Sequence, residues 1–579
     1  MIGLGCMRLS TARDRDEARG VAVIRAALDA GARLLDTADA YCHDDRDLGH
    51  NERLIARALD GWSGDRSRIT VATKGGMRRP NGAWQADGRA KHLRQACEAS
   101  RRALGVDTID LYQLHAVDPK TPLETSVRAL AKLQEEGVIR DIGLCNVTVS
   151  QIRAARAIVG VASVQVSLSP LDDENLRNGV AEYCRDNGIL LLAYRPLGGD
   201  RIRQLARNGE LTRIAAKHGA SNEDIALAWL MSFGDRIVPI PGATRVETAS
   251  SLARALEVAL DDDDRGALDT QFSGRLLRVS RAERRPRDDP AGEVVIVMGM
   301  PGAGKSGFAR ELVTRGYKRL NRDALGGSLT GVATRLDETL ATGHKLVVLD
   351  NTYPTRKSRN EVIETAWQRG VPVKCVWLTT DVPSAQINAI KRMIDVHGQL
   401  PTPEEIRERS RRDTRYFLPD TQFRYERTLE PPSVDEGFVF VDERAFVRDP
   451  DTAAHRALIL DFDDLLGRDV ALRIRTLRAH RSDGWRLFVH AWRPRPDRDL
   501  TTPLLDLLGN EVDIAICPHD AGPPVCWCRK PIPGSVIDFA VRHDVALGRS
   551  IVVGTSAADR TMAERIGARF ETSAAFFAG

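Results

Sequence analysis

The chain has 579 residues, more than one hydrophobic core usually supports, and this length predicts roughly three to four domains. Its 84 basic and 80 acidic side chains leave a net charge of only +4, which excludes a uniformly polycationic surface, so any nucleic-acid contact must be local. The sequence contains no run of about 18 apolar residues and no basic leader followed by an apolar stretch. We therefore expect a cytoplasmic protein without membrane contact.

Residues 1–275 alternate helical patterns with short apolar runs. The runs are residues 33–36, 69–73, 109–115, 142–144, 163–165, 190–194 and 238–240. Repeated βα units over about 270 residues are typical of a closed eight-stranded barrel, whose functional side chains lie at the carboxyl ends of its strands. This block is therefore predicted to be a (β/α)8 barrel.

Four polar residues lie at or shortly after the ends of these runs, namely Asp36, Tyr41, Lys74 and His115. This constellation resembles the aldo-keto reductases, and the resemblance implies reduction of a carbonyl by hydride. That reaction leaves an alkoxide that needs a proton, and an unperturbed tyrosine has a pKa of about 10. Lys74 is expected to lower the pKa of Tyr41, Asp36 to hold the lysine, and His115 to hydrogen-bond the carbonyl oxygen.

The resemblance implies NADPH as cofactor and a small carbonyl compound as substrate. Asn146 and Gln165 are expected to bond the nicotinamide carboxamide, and Tyr194 to stack on the nicotinamide ring. The adenosine phosphate end is expected at Gly242, Thr244 and Arg245. Cys145 stands where the family usually has serine.

A polar, proline-bearing linker, residues 276–292, precedes an apolar run that leads into a complete phosphate-binding loop. The residues of this loop with expected roles are Gly299, Gly302, Gly304, Lys305 and Ser306. The glycines let backbone N–H groups turn toward a triphosphate, the lysine adds positive charge, and the serine is suited to Mg²⁺. The loop predicts use of ATP with Mg²⁺.

Two carboxylates follow at the ends of apolar runs. Asp323 lies in an Asn-Arg-Asp segment and is our predicted general base, while Asp350 ends the next run and is suited to positioning Mg²⁺-bound water or the acceptor. Together with the segment containing Arg356 and Arg359, this pattern resembles the kinase module of polynucleotide kinase-phosphatases over residues 294–441. The resemblance implies phosphorylation of a 5′-hydroxyl end of RNA or DNA.

The same resemblance gives Lys305 a catalytic role and makes Asp350, Arg356 and Arg359 contacts to the acceptor. Arg392 is the candidate lid arginine that neutralises charge on the transferred phosphoryl group, although a solvated helix arginine fits the pattern as well. The arginines of residues 407–415 precede two aromatic residues, Tyr416 and Phe417. Because acidic residues are interleaved, this stretch fits either a nucleic-acid groove with a stacking surface or a solvated helix face.

Residues 450–579 begin with an apolar run that ends in Asp461 and Asp463. This pattern resembles the haloacid dehalogenase-type phosphatases, in which these residues would be nucleophile and acid/base. Residues Cys517, His519, Cys526 and Cys528 have a spacing suited to tetrahedral Zn²⁺, and Lys530 follows. The stretch resembles the zinc-bearing branch that includes histidinol and heptose bisphosphate phosphatases.

This last block departs from that family at two sensitive positions. Ala491–Trp492 replaces the expected Thr or Ser that holds phosphate, and Thr555 replaces an expected Mg²⁺-binding Asp. We therefore expect a weakened or inactive phosphatase, retained as a structural or nucleic-acid-binding module.

The predicted fold class is α/β: a barrel (1–275), a P-loop kinase with a parallel sheet (293–449) and a haloacid dehalogenase-like Rossmannoid domain (450–579). The leading interpretation is a polynucleotide 5′-hydroxyl kinase fused to a reductase. One alternative is a small-molecule pathway enzyme that combines carbonyl reduction with metabolite phosphorylation. Another is an active kinase flanked by non-catalytic binding or oligomerisation modules. The sequence leaves open whether the chain forms a homo-oligomer.

Overall fold

The computed structural model describes residues 1–12, 14–286, 292–326, 328–447, 452–465, 470–494, 502–509, 512–522 and 526–578. It divides into two compact units, Met1–Arg285 and Pro286–Gly579. The junction predicted near residue 449 and residues 287–291 of the predicted linker lie outside the described residues. Among the helices described, none is both long and apolar enough to span a membrane.

The first unit contains a nearly closed barrel of eight parallel strands, which confirms the predicted barrel. Its strands are β1 (Gly3–Gly5), β2 (Leu34–Asp36), β3 (Thr70–Gly75), β4 (Met77–Arg78), β5 (Gln85–Ala86), β6 (Ile109–Leu114), β7 (Ile139–Cys145), β8 (Ser163–Ser167), β9 (Leu190–Tyr194) and β10 (Ile237–Ile240). The barrel order is β1-β2-β3-β6-β7-β8-β9-β10, and β4 pairs with β5 in a separate antiparallel hairpin. The last strand returns to the first where Gly5 N donates to Pro241 O at 2.9 Å.

Helices surround this barrel and carry its outer apolar layer. They are α1 (Arg8–Thr11), α2 (Glu17–Asp29), α3 (His50–Leu59), α4 (Ala90–Leu104), α5 (Leu123–Glu135), α6 (Val149–Arg156), α7 (Glu174–Arg177), α8 (Val180–Asp186), α9 (Ile202–Leu205), α10 (Gly209–His218), α11 (Asn222–Met231), α12 (Val246–Ser250), α13 (Leu252–Glu257), α14 (Asp262–Gln271), α15 (Arg275–Arg278) and α16 (Arg281–Arg284). The unit continues past residue 275 because Arg281 and Arg284 form ion pairs with the buried Glu182, at 2.8 and 3.1 Å.

Burial follows the side-chain alternation of the strands. One set of side chains packs inside the barrel, and the other set packs outward against the helices. The inner cluster consists of Leu34, Ala72, Leu111, Leu192, Val238 and Ile240. The polar residues of the strands gather at their carboxyl ends, where the candidate site lies.

The second unit contains two five-stranded parallel sheets. The first sheet is formed by β11 (Glu293–Met298), β12 (Lys318–Leu320), β13 (Leu346–Asp350), β14 (Val373–Leu378) and β15 (Val441–Arg444), in the order β12-β13-β11-β14-β15. Its helices are α17 (Lys305–Thr314), α18 (Arg322–Leu325), α19 (Leu329–Ala341), α20 (Arg356–Gln368), α21 (Val382–His397), α22 (Pro403–Arg409) and α23 (Asp420–Thr428). The P-loop connects the central strand β11 to α17, so it lies at the carboxyl edge of the sheet.

The other sheet is formed by β16 (Arg456–Asp461), β17 (Trp485–Trp492), β18 (Val512–Cys517), β19 (Ile551–Gly554) and β20 (Arg569–Thr572), in the order β18-β17-β16-β19-β20. Its helices are α24 (Phe462–Leu465), α25 (Val470–Ser482), α26 (Thr502–Leu508), α27 (Gly534–Arg542), α28 (Ala557–Ile566) and α29 (Ser573–Ala578). Asp461 ends the central strand β16 and therefore also lies at a carboxyl edge.

The two sheets of the second unit share one apolar cluster. Residues of α21 and α22 pack with Phe417 against Trp527 and residues of α27 and α28. Polar contacts flank this cluster, with Leu400 N donating to Asp538 Oδ1 at 2.8 Å and Arg565 Nη1 donating to Gln386 Oε1 at 3.1 Å. The two predicted modules therefore form one compact unit.

Candidate functional sites

The barrel site is centred on a buried lysine. Lys74 Nζ donates to Asp36 Oδ1 at 2.6 Å, to Thr37 O at 2.7 Å and to the Tyr41 hydroxyl oxygen at 3.1 Å. Strands β2 and β3 are neighbours, so the end of one places Asp36 beside Lys74. His115 follows β6, and its ring centroid lies 5.6 Å from that of Tyr41. The four residues predicted from sequence are therefore gathered in one cluster.

Burial shapes the protonation of this cluster. Burial raises the pKa of the Tyr41 hydroxyl, and the nearby Lys74 ammonium opposes the rise only in part. Lys74 therefore acts in the direction expected from sequence, but the loss of water on burial outweighs it and the pKa of Tyr41 is raised overall. Burial also raises the pKa of Asp36 against the effect of Lys74, and it lowers that of His115, so the imidazole is neutral at pH 7.

The residues predicted to hold the cofactor line the same end of the barrel. Asn146 directly follows β7, and its side-chain oxygen accepts a hydrogen bond from the Tyr194 hydroxyl at 2.9 Å. Gln165 donates to Asp36 Oδ1 at 3.1 Å and accepts from Gln113 at 3.0 Å, so its amide is tied to the lysine cluster. Exposed residues Gly242, Thr244 and Arg245 lie between β10 and α12, at the same edge.

Sequence reasoning missed the hairpin β4–β5, which lies beside this site. Trp84 contacts both Tyr41 and His115 edge-on, with ring centroids 6.4 and 5.9 Å apart. Arg79 stacks on Trp84, with its guanidinium carbon 3.9 Å from the ring centroid. A strand of two residues is too short to show the alternation of apolar and polar side chains that predicts a strand. The tryptophan in a polar loop was the signal in the sequence that this segment has a specific role.

The P-loop site is held by neighbouring helices. Asn388 Nδ2 donates to Gly302 O at 2.9 Å and Gln422 Nε2 donates to Pro301 O at 2.8 Å. Gly302 has φ of 92°, and a Cβ there would lie 2.2 Å from Ala385 O on α21. Only glycine therefore fits between the loop and this helix. Gly299 and Gly304 also have positive φ, at 153° and 91°.

Lys305 and Ser306 of the loop make different polar contacts. Lys305 Nζ donates to the carbonyl oxygens of Gly299 and Met300, both at 2.8 Å, and burial lowers its pKa to about 8. Ser306 Oγ donates to Asp350 Oδ2 at 2.9 Å. A hydroxyl beside a buried carboxylate is a donor set that Mg²⁺ accepts, so these residues fit the expected ion.

The predicted base and lid arginine lie within electrostatic reach of the loop. Asp323 is half-exposed at the start of α18, where the side chain of Asn321 caps the helix. Arg392 lies on α21, and burial lowers its pKa while Asp323 and Asp350 oppose that effect. Its Nε is buried without a hydrogen-bond partner among the described residues. Its Nη2 donates to Arg415 O at 3.4 Å on the exposed side, so Arg392 is half-buried rather than fully solvated.

Two predicted acceptor contacts are corrected by the structure. Arg359 is fully buried and forms a two-pronged ion pair with Glu436, with both distances 2.7 Å. Arg356 is also buried, and its Nη1 donates to Asp435 Oδ2 at 2.8 Å. Both arginines anchor the segment near residues 433–437 and are not presented to an acceptor. Asp350 accepts from Ser306 Oγ and from Arg319 Nε, at 2.9 and 3.1 Å, so it lies beside the P-loop serine.

The proposed aromatic stacking surface is wrong as well. Tyr416 and Phe417 are buried, whereas the neighbouring arginines are exposed. Arg407 and Arg415 pair with Glu404 and Asp413, at 3.0 and 2.8 Å. The stretch is a solvated face whose aromatic residues belong to the core.

The C-terminal pocket gathers the predicted phosphatase residues. Lys530 forms ion pairs with Asp461 and with Asp559, the latter at 2.6 Å. Asp463 is exposed and pairs with Arg493. Thr555 donates to Asp464 at 2.6 Å. These residues line a cavity of about 430 Å³.

The four predicted metal ligands meet beside this pocket. The ligand atoms of Cys517, His519, Cys526 and Cys528 all lie within 4.8 Å of one another. Three thiols and an imidazole at this separation form a donor set that fits tetrahedral Zn²⁺. Trp527, between two of the cysteines, donates from Nε1 to Phe417 O at 2.8 Å, which joins the loop to the segment between α22 and α23.

The barrel cluster fits a carbonyl oxidoreductase, and the P-loop on a parallel sheet is the arrangement of a nucleotide-binding domain. The sequence model of the aldo/keto reductase family matches residues 1–271, and that of the AAA domain matches residues 294–411. The chain therefore carries an aldo/keto reductase domain followed by a P-loop kinase-like domain.

Solved structures similar to this chain include three proteins. An aldo-keto reductase from Klebsiella pneumoniae in complex with NADPH is 25% identical, and the match covers 47% of this chain and 90% of that chain with a TM-score of 0.40. A glycerol dehydrogenase from Gluconobacter oxydans is 26% identical, and the match covers 50% of this chain and 94% of that chain with a TM-score of 0.41. A thermostable aldo-keto reductase in complex with the inhibitor epalrestat is 28% identical, and the match covers 47% of this chain and 94% of that chain with a TM-score of 0.40.

Proposed function

We propose that the barrel domain is an NADPH-dependent reductase of small carbonyl compounds. The observation that carries this proposal is the buried Lys74, hydrogen-bonded to both Asp36 and Tyr41. NADPH, when bound, supplies the hydride. Tyr41 donates its proton to the carbonyl oxygen, and the positive charge of Lys74 stabilises the tyrosinate that remains. Neutral His115 orients the carbonyl oxygen by a hydrogen bond, and Asp36 keeps the lysine in place.

The test of the reductase is Tyr41→Phe with Tyr183→Phe as matched control. Tyr183 lies on α8, and its hydroxyl contacts Arg156 at 3.0 Å, away from the cluster. We expect Tyr41→Phe to lower kcat for aldehyde reduction at least about 100-fold while NADPH still binds, since one proton donor contributes about that much. Equal activity of Tyr41→Phe and wild-type protein would reject the assignment.

We also propose that the P-loop domain is an ATP- and Mg²⁺-dependent polynucleotide 5′-hydroxyl kinase. Support comes from the pairing of Ser306 with Asp350 and from the placement of Asp323 and Arg392 within electrostatic reach of Lys305 and Asp350. Asp323 accepts the proton of the attacking hydroxyl, and Lys305 and Arg392 balance the charge of the transferred phosphoryl group. Ser306 and Asp350 would hold Mg²⁺, which would supply positive charge against the phosphate oxygens.

Labelled ATP separates this proposal from the small-molecule alternative. Incubation with 5′-hydroxyl RNA, 5′-hydroxyl DNA and a panel of sugars is expected to label a nucleic acid, and Asp323→Asn to remove the label. Asp337→Asn is the control, because Asp337 is a surface residue paired with Arg369 at 2.6 Å. Label on sugars alone would favour the metabolite kinase. Activity that survives Asp323→Asn would remove Asp323 from the base role.

For the C-terminal module we propose a Zn²⁺ site at the Cys517 cluster and a weakened or inactive phosphatase pocket. The gathered donor set supports the metal, and the pairing of Thr555 with Asp464 supports the loss of an Mg²⁺ ligand. Elemental analysis should find one zinc ion per chain, and the Cys526→Ser variant should contain less zinc than the wild-type protein. Hydrolysis of a phosphomonoester at rates typical of phosphatases would contradict the weakened pocket.

A further inference from the structure

The hairpin beside the barrel site holds a buried cation with little to balance it. Arg79 is 6% exposed, and its Nη2 donates weakly to the carbonyl oxygens of Cys42 and His43, both at 3.3 Å. Its Nε and Nη1 are buried, and among the described residues neither has a hydrogen-bond partner. Buried guanidinium groups are normally paired with an acid, so this arginine is unusual.

The carboxylates that act electrostatically on neighbouring Cys42 are already accounted for. Asp47 is held by Arg15 at 2.7 Å and by Arg53 at 3.0 Å. Asp39 is fully buried beside Glu52, and burial raises its pKa well above the ordinary value, which favours its neutral form. Within the part of the chain that the structure describes, Arg79 therefore lacks an ion-pair partner.

The position of Arg79 relates it to the reacting centre. Its Nη2 reaches the carbonyl of the residue that follows Tyr41, and its guanidinium stacks on Trp84. Trp84 in turn contacts the rings of Tyr41 and His115, and 46% of its surface is exposed. If the half-exposed indole of Trp84 moved, Nε and Nη1 of Arg79 would become accessible to a substrate whose reacting carbonyl group lies at Tyr41.

We propose that the barrel reduces carbonyl compounds that carry a carboxylate, and that Arg79 binds this carboxylate beneath Trp84. The inference rests on the proposed reductase function. A guanidinium with free N–H groups matches the planar oxygens of a carboxylate, and the indole supplies apolar contact for the carbon skeleton between the two polar ends. Arg79 determines specificity, whereas proton transfer remains with Tyr41.

The first test compares 4-carboxybenzaldehyde with its neutral analogue 4-carbamoylbenzaldehyde. Wild-type protein is expected to favour the carboxylate in kcat/KM, mainly through KM, and Arg79→Gln to reduce that preference at least about 10-fold, the usual effect of losing a charged hydrogen bond. Arg79→Lys should keep part of the preference. Arg78→Gln is the matched control, because Arg78 is an exposed residue of the same hairpin. An unchanged preference in Arg79→Gln would overturn the inference.

The second test does not depend on turnover. Calorimetry measures the Kd of 4-carboxybenzaldehyde for the Tyr41→Phe protein saturated with NADP⁺, with and without Arg79→Gln. A Kd at least about 10-fold weaker in the double variant supports the carboxylate site even if no aldehyde is reduced. Equal Kd values would exclude it even if the reductase is active. The two proposals therefore fail separately.

Discussion

Lys305 links nucleotide binding to protonation. Burial in the loop lowers its pKa from an ordinary 10.5 to about 8, whereas a bound triphosphate restores the charged form. Between pH 8 and pH 10.5 the folded protein binds fewer protons than the unfolded chain, so the free energy of unfolding rises with pH in this range. Below pH 8 the lysine is charged in both states, and the full cost of burying its charge lowers the stability. ATP binding should raise the pKa of Lys305 again.

We therefore expect ATP binding to take up about 0.7 proton at pH 8.5 and less than about 0.1 at pH 7, beyond any change in ATP itself. Calorimetry in buffers of different ionisation enthalpy measures this uptake. Lys305→Arg is the matched variant, since arginine stays charged at both pH values. The same uptake in both proteins would show that another group is responsible.

Arg359 has a structural role that can be measured. Arg359→Met leaves Glu436 buried and uncompensated, which should lower the free energy of unfolding of the second unit by about 3–5 kcal/mol. Adding Glu436→Leu should restore most of the loss. Breaking the exposed pair of Arg369 with Asp337 should cost less than about 1 kcal/mol. Denaturant unfolding measures these free energies. If Arg359→Met lowered the free energy of unfolding no more than breaking the surface pair does, the structural role of Arg359 would be contradicted.

For single residues, the sequence was sufficient to predict contacts between side chains at the ends of neighbouring strands. Asp36 and Lys74 could be placed together because adjacent barrel strands end at the same edge. Arg359 could not be assigned correctly, because its partner Glu436 lies in a separate segment that no local periodicity connects to it. The effect of Lys74 on the pKa of Tyr41 was predicted in the right direction, but the larger effect of burial was not, because a sequence shows charged neighbours and not the extent of burial.

At the scale of elements, the loop that carries Cys526 and Cys528 packs beside the proposed lid arginine, Arg392. Trp527 packs edge-on against Phe417, with centroids 5.8 Å apart, and Arg392 lies 5.9 Å above the same phenylalanine. The position of Arg392 therefore depends on an indole supplied by the neighbouring sheet's loop.

Trp527→Ala should accordingly lower kinase kcat several-fold, because α21 loses its support, and should destabilise the second unit by about 3–5 kcal/mol. Trp527→Phe, which keeps the packing but loses the hydrogen bond, should show a smaller effect on both. Trp485→Ala is the control, since Trp485 lies on β17 away from this loop. An unchanged kinase kcat in Trp527→Ala would show that this loop does not support the position of Arg392.

Elements long enough to show periodicity were predictable, and short ones were not. The barrel strands and the P-loop helix follow from apolar runs and glycine spacing. The hairpin β4–β5 has two residues in each strand, so its pattern is indistinguishable from a loop, and the role of Arg79 and Trp84 depends on it.

At the scale of the whole molecule, the second unit has a core that both of its sheets complete. Ile387, Met393 and Ile406 of the kinase helices pack in one cluster with Trp527 and Val536. The change in composition near residue 450 marks a connection, but a sequence cannot show that the segments on its two sides bury the same apolar surface. Three modules were therefore expected where two compact units are found.

Fragments test this organisation. Residues 1–285 are expected to retain aldehyde reduction and residues 286–579 to retain ATP-dependent phosphorylation, because each fragment contains a complete unit. Residues 286–447 should be poorly soluble or unfolded, because the apolar faces of α21 and α22 lose their cover. Thermal unfolding and activity of the three fragments provide the measurement. A 286–447 fragment as stable as 286–579 would contradict the shared core.

The shared cluster also bears on the order in which the chain is made. The ribosome releases Phe417 and the helices before it well ahead of Trp527 and α28, and at about 5–20 residues per second the delay is roughly 6 to 30 s. During that interval the nascent kinase exposes an apolar face with no partner yet synthesised. Nascent chains paused in this window should therefore be the ones that chaperones bind.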